Sequence, residues 1–172
     1  MRSNWNNILL TVALALQGPA FPAFATDERV SGFTSEDILA IQAREAELEE
    51  QSDIIHFAGG FELRANDWYL SSEQATLYGK LDDPETVIVT GSPALIGVTT
   101  VVQGRASMVN GSARRIVYER DSKTIRMEGN ASLSRDGHTL DGGEIEYHID
   151  DDQLRAGGRG GVHIRVDPDN SD

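Results

Sequence analysis

The chain contains no cysteine, which excludes disulfides, thiolate metal sites, thiol redox chemistry and a cysteine nucleophile. Basic charge is also scarce. Fifteen Lys and Arg face 28 Asp and Glu, a formal net charge of −13. A chain this acidic lacks the electrostatic footprint of a nucleic-acid binder or of a protein held on an anionic lipid surface. Histidine is limited to His56, His138, His148 and His163, with no i, i+4 pair, so no zinc pattern is present. Three of them fall on the polar phase of their strands and His138 falls in a turn, so all four read as surface groups. Gly-x-Ser-x-Gly is absent, and with it the nucleophile elbow. Gly157-Gly158-Arg159-Gly160-Gly161 has neither the Lys-Ser/Thr ending nor the following helix of a phosphate loop, and reads as a hairpin turn. Asp150-Asp151-Asp152 lacks the spaced acids and glycine of a calcium loop, and reads as a solvated turn. No constellation points to catalysis, and no cofactor or metal is expected.

Long apolar runs are missing too, apart from Ile8 to Leu16 near the N-terminus. That run is well short of the roughly 20 residues that span a bilayer. Arg2 precedes it, Gly18, Pro19 and Pro22 follow it, and Ala23-Phe24-Ala25 supplies an A-x-A cleavage site. The pattern predicts a cleaved signal peptide over residues 1–25 and an exported chain beginning at Thr26. Removing those residues takes away one Arg and no acid, so the net charge moves from −13 to −14. What remains is long enough for one domain with an adequate core.

From Ile54 onward the sequence has a period of two. Ile125, Met127, Ala131 and Leu133 alternate with Arg126, Glu128, Asn130 and Ser132; Ile145, Tyr147 and Ile149 alternate with Glu144, Glu146 and His148. Alternation over short runs marks antiparallel strands with one apolar and one wet face. Gly, Asn and Asp clusters separate the runs, such as Asn66-Asp67, Asp136-Gly137 and Asp141-Gly142-Gly143, and supply hairpin turns. The chain is therefore expected to be all-β.

Two stretches match at an offset of 70 residues. Ala43-Arg44, Glu49, Ile55, Gly59, Leu63 and Leu70 correspond to Ala113-Arg114, Glu119, Ile125, Gly129, Leu133 and Leu140. A half-copy, Val87 to Leu95, carries Gly91 at the matching place. Repeats of this kind bury their apolar faces by stacking on their neighbours. Glycine recurring inside strands predicts a bend that curves the whole sheet, against the simpler reading of loop punctuation. Residues 35–50 have helix-favouring composition, but the repeat matches Ala43–Gln51 to a strand-like segment. We expect strand from Ala43 to Glu50, with room for a short helix before it.

The inward phase comprises Ile55, Phe57, Leu63, Leu77, Val87, Val89, Ile96, Tyr118, Ile125, Met127, Leu133, Ile145, Tyr147, Ile149 and Ile164. Such a lining suits either an ordinary core or a trough for lipid tails, and alternation alone does not separate the two. An enzyme would need a polar cluster inside, and the inward phase offers only Tyr hydroxyls. An open array also has unpaired strands at its ends, which invite pairing with another chain. A non-lipid assembly module acting through edge pairing is the alternative reading.

The second repeat, from Ile116-Val117-Tyr118-Glu119 through Gly129-Asn130-Ala131 to Gly142-Gly143-Glu144-Ile145-Glu146-Tyr147, resembles the core of the OstA-like family. The likeness extends upstream through Phe57-Ala58-Gly59-Gly60 and Gly104-Arg105-Ala106-Ser107, with Gly60-Phe61 departing from Asn-Ala in the first copy. The resemblance implies an open antiparallel β-jellyroll, a folded taco of repeated strand pairs, over residues 43–166. A lead-in at 26–42 precedes it and a polar tail at 167–172 follows it. It also implies a periplasmic, non-enzymatic lipopolysaccharide carrier that forms part of a bridge between the inner and outer membranes. Acyl chains would ride inside, copies would associate head to tail, and membrane-anchored and outer-membrane OstA-like components would be the partners.

Overall fold

Ten strands form, those from Ile54 onward where the alternation predicts them, in a computed structural model that describes residues 38–49, 52–81, 83–102 and 105–166. The expected signal peptide, most of the lead-in and the polar tail lie outside the described residues. The strands are β1 (Ile38–Gln42), β2 (Glu45–Glu49), β3 (Ile54–Ala65), β4 (Trp68–Lys80), β5 (Asp83–Val102), β6 (Arg105–Glu119), β7 (Thr124–Arg135), β8 (His138–His148), β9 (Gln153–Gly157) and β10 (His163–Val166). Strands β3 to β8 pair antiparallel in chain order, as short hairpin connections dictate. Both β1 and β2 pair with β3, and both β9 and β10 pair with β8.

The 70-residue repeat is realised in register. Leu48 faces Ile55 as Tyr118 faces Ile125, and Leu63 faces Leu70 as Leu133 faces Leu140. Every ladder from β3 to β8 then breaks register at one level. The breaks lie between Ala58 and Phe61, Ser71 and Gln74, Thr90 and Ala94, Ser112 and Arg115, and Glu128 and Ala131. Bulges bend a strand and increase its local twist; a row of them forms a crease. Gly59 and Gly129 occupy it with φ of 78° and 80°, followed by Gly60 at 92° and Asn130 at 53°. These left-handed conformations suit glycine, and asparagine tolerates them. The expected glycine bend is thus present, and Gly91 lies in the break between Thr90 and Ala94.

The crease divides the sheet into two leaves. The first leaf holds β1, β10 and segments 61–65, 68–72, 94–102, 105–113, 131–135 and 138–142. The second holds β2, β9 and segments 54–58, 74–80, 83–90, 115–119, 124–128 and 144–148. They face each other: the Trp68 ring of the first lies 4.9 Å from the Tyr118 ring of the second. The alternation slips phase at the crease in β5, where Val87 and Val89 are buried on one side and Ala94 and Ile96 on the other. Both leaves therefore turn their apolar face inward.

One expectation fails. The segment before Ala43, where a short helix was allowed, is strand β1, with Ile38 opposite Ala65 and Ile41 opposite Leu63. Pairing along β3 outweighs a weak helical preference. The strand expected from Ala43 begins at Glu45; Arg44 lies at the crease, and a Cβ on Gly59 would meet its Cβ at 2.8 Å. Arg114 covers Gly129 in the same way. Among the described residues, no ladder joins β1 to β10 or β2 to β9. The jellyroll is open.

Candidate functional site

Alternation places the predicted lining inside. Phe57, Leu63, Leu77, Val87, Val89, Ile96, Tyr118, Ile125, Met127, Leu133, Ile145, Tyr147 and Ile149 are all buried. Ile55 is half-buried beside the edge strand β2. Ile164 is the exception: it is 70% exposed on the edge strand β10. Its phase is inward, since it pairs with Leu140, but among the described residues no further strand covers it. Phase reports direction, and burial requires a neighbour on the far side.

The inward set read from sequence was incomplete. Phe61, Trp68, Leu70, Val98, Val109 and Ile116 are also buried in the same cluster. Trp68 and Leu70 carry the period-two signal, whereas Phe61 and Ile116 sit beside the crease, where the phase slips. The interior is packed in its middle: a Cβ on Gly111 would lie 2.6 Å from Met127 Sδ and 2.7 Å from Ile96 Cγ2. Each fully buried Leu, Ile or Met contributes about 1.5–3 kcal/mol relative to exposure.

Packing loosens at the C-terminal edge. A cavity of about 570 Å³ opens between the leaves there, within the usual range for small-molecule sites. Val109, Leu133, Leu140 and Ile164 line it from the first leaf, and Leu154 and Ala156 from the second. Leu154 is 41% exposed, so apolar surface reaches the rim of the mouth. At the opposite edge, Leu48 of β2 is 56% exposed on the inward phase.

Three polar groups of the mouth form one cluster. Arg135, at the end of β7, makes a forked contact with Asp152 in the β8–β9 turn; Nη1 bonds Oδ1, and Nη2 donates to Oδ2 at 3.2 Å. The Tyr147 hydroxyl donates to Asp152 Oδ1 at 3.0 Å. The arginine's hydrogen bond holds the Asp152 carboxyl below its ordinary value. Burial, reinforced by the Asp152 carboxylate, pushes the Tyr147 phenol up to about 12.

Three details depart from the sequence reading. Asp152 is a half-buried ion-pair partner, although the three-aspartate run reads as a solvated turn. His148 is half-buried, with Nε2 2.9 Å from Glu146 Oε1 and Nδ1 3.1 Å from Thr124 Oγ1; His56, His138 and His163 are exposed as expected. The interior also buries hydroxyls besides tyrosine, including Thr100, whose Oγ1 donates to the Ser107 carbonyl at 3.3 Å. Among the described residues, no three His, Asp or Glu side chains gather to hold a metal.

The interior offers apolar area, and its fixed polar groups at this end are confined to the mouth. No curated protein matches the sequence. In structure the chain is similar to LptH of Pseudomonas aeruginosa, described as the LptA-homologous periplasmic component of the conserved lipopolysaccharide transport device. The TM-score is 0.69 at 19% identity, covering 79% of this chain and 99% of that one. That likeness shows the fold, an open antiparallel jellyroll. The family model described as LptA/(LptD N-terminal domain) LPS transport protein matches residues 40–153. The chain belongs to this family of lipopolysaccharide-transport proteins, which are not enzymes.

Proposed function

We propose that this protein is a periplasmic lipopolysaccharide carrier that takes acyl chains between its leaves and forms part of a bridge between the two membranes. The observation that carries the reading is the apolar cavity at the β9–β10 edge, continuous with a buried aliphatic interior. Transfer of acyl chains from water into such a space is favourable by roughly 0.8 kcal/mol per buried CH₂. The sugars stay outside, where the acidic surface presents no cationic trap for their phosphates.

Assembly into a bridge is supported by the two edges. Strands β2 and β9 each have five residues and belong to the second leaf. Alternating strand directions between them bring β9 of one copy and β2 of the next together antiparallel. Centred on each other, they place Leu154 opposite Leu48, Ala156 opposite Ala46 and Arg155 opposite Glu47. Three glutamates occupy β2 and no acid occupies β9 or β10, so head-to-tail contact is favoured over Glu-on-Glu contact between like edges.

The test is a photoreactive amino acid placed in cells at inward Met127 or rim Ile164, with outward Arg126 as the control. Lipopolysaccharide captured at the first two and not at the third is the expected result. Capture at none, with a folded and exported protein, would favour the edge-pairing module and refute the carrier.

A further inference from the structure

The ion pairs Arg115–Glu128, Arg126–Glu146 and Arg165–Asp141 each lie within one leaf. Arg135–Asp152 does not. Arg135 stands on the first leaf opposite His138, whereas Asp152 follows β8 on the second leaf and bonds Tyr147 of that leaf. Both partners line the mouth cavity, so the contact spans the opening.

We propose that Arg135, Asp152 and Tyr147 form a clasp that holds the mouth closed and sets the rate at which acyl cargo is loaded and released. The proposal rests on the carrier reading, and its reason is an asymmetry of replacement. When the leaves part, their apolar side chains exchange one another for the acyl chain at little cost, because apolar attraction is non-directional. The forked guanidinium–carboxylate pair has no such substitute, since an acyl chain supplies neither donor nor acceptor. The apolar interior is thus indifferent to the exchange, and the clasp resists it. Asp136, 3.7 Å from Arg135 Nε, stays beside the arginine on its own leaf and does not cross.

The missing cysteine makes the test direct. Gln153→Cys on β9 and Arg165→Cys on β10 point outward, one on each side of the mouth, and accept a pair of spin labels without filling the cavity. Asp152→Asn removes the charge but keeps the turn, because asparagine adopts the positive φ of 50° found there. Measured at a concentration where the chain is monomeric, this variant should give a longer and broader label distance than the parent. Stopped-flow uptake of a fluorescent long-chain fatty acid should accelerate about two- to fivefold, the factor for a half-exposed pair. Arg135→Gln should act alike, and the double variant should add nothing further.

An unchanged label distance in Asp152→Asn would overturn the clasp. A changed distance with unchanged uptake would overturn its control of loading. If the parent takes up no acyl probe, the carrier reading fails instead, while the label distances still decide whether the clasp exists.

Discussion

Replacing Gly111 with alanine should destabilise the protein by about 1–2 kcal/mol, through contact between the leaves. Gly111 sits on β6 without a left-handed φ, so the backbone accepts alanine, and the loss of chain entropy in the unfolded state favours it by about 0.4–1 kcal/mol. Against this, the new methyl would lie 2.6 Å from Met127 Sδ and 2.7 Å from Ile96 Cγ2, where ordinary carbon contacts are about 3.5–4.0 Å. Overpacking of that kind costs about 1–3 kcal/mol, and the clash outweighs the entropy. Met127 is fully buried, and Met127→Ala alone should cost about 2–5 kcal/mol. In the double variant the methyl meets space where the sulfur stood, and only the clash with Ile96 remains. The two changes should therefore couple favourably by about 1 kcal/mol, read from urea unfolding of the four proteins in the cycle. Additive effects would refute the claim that the leaves touch at this point, and would favour an open trough running through the middle of the molecule.

Two further outcomes follow from the edges and the mouth. In the cysteine-free background, Leu48→Cys mixed with Leu154→Cys should form disulfide-linked dimers under mild oxidation. Neither variant alone should do so, and Glu47→Arg should weaken the link; equal yields from the single variants would refute head-to-tail register. For the clasp, the groups facing Asp152 are Arg135 and Tyr147, with Asp136 and His138 on the same rim. The Asp152 value is lowered by folding, so its stabilisation is present above the unfolded carboxylate range and lost as pH falls through the folded value. Tyr147 is raised from 10.0 to about 12, so its stabilisation is complete below pH 10 and declines by roughly 3 kcal/mol as pH rises through 12. Urea midpoints across both ranges should fall less in Asp152→Asn at the acid end and less in Tyr147→Phe at the alkaline end.

The sequence by itself marked the strands from Ile54 onward, most of their inward residues and the place where they bend. Period two is a local property, and each alternating residue carries it regardless of its neighbours. The 70-residue offset marked two equivalent copies, and the structure pairs them in the same register, Leu63 with Leu70 and Leu133 with Leu140. Glycine marked the crease because residues of the left-handed region are few. Only the tertiary structure decided what depends on two distant segments meeting. Ile164 carries the inward phase of a core residue, yet it is exposed because, among the described residues, the sheet ends at β10. Residues 35–42 look helical alone, and from Ile38 they become strand where β3 offers an edge. Arg135 and Asp152 sit on different leaves, with no shared period to connect them, and they meet only because the crease folds one leaf over the other. Alternation says which way a side chain points; closure of the sheet on itself says what it finds there.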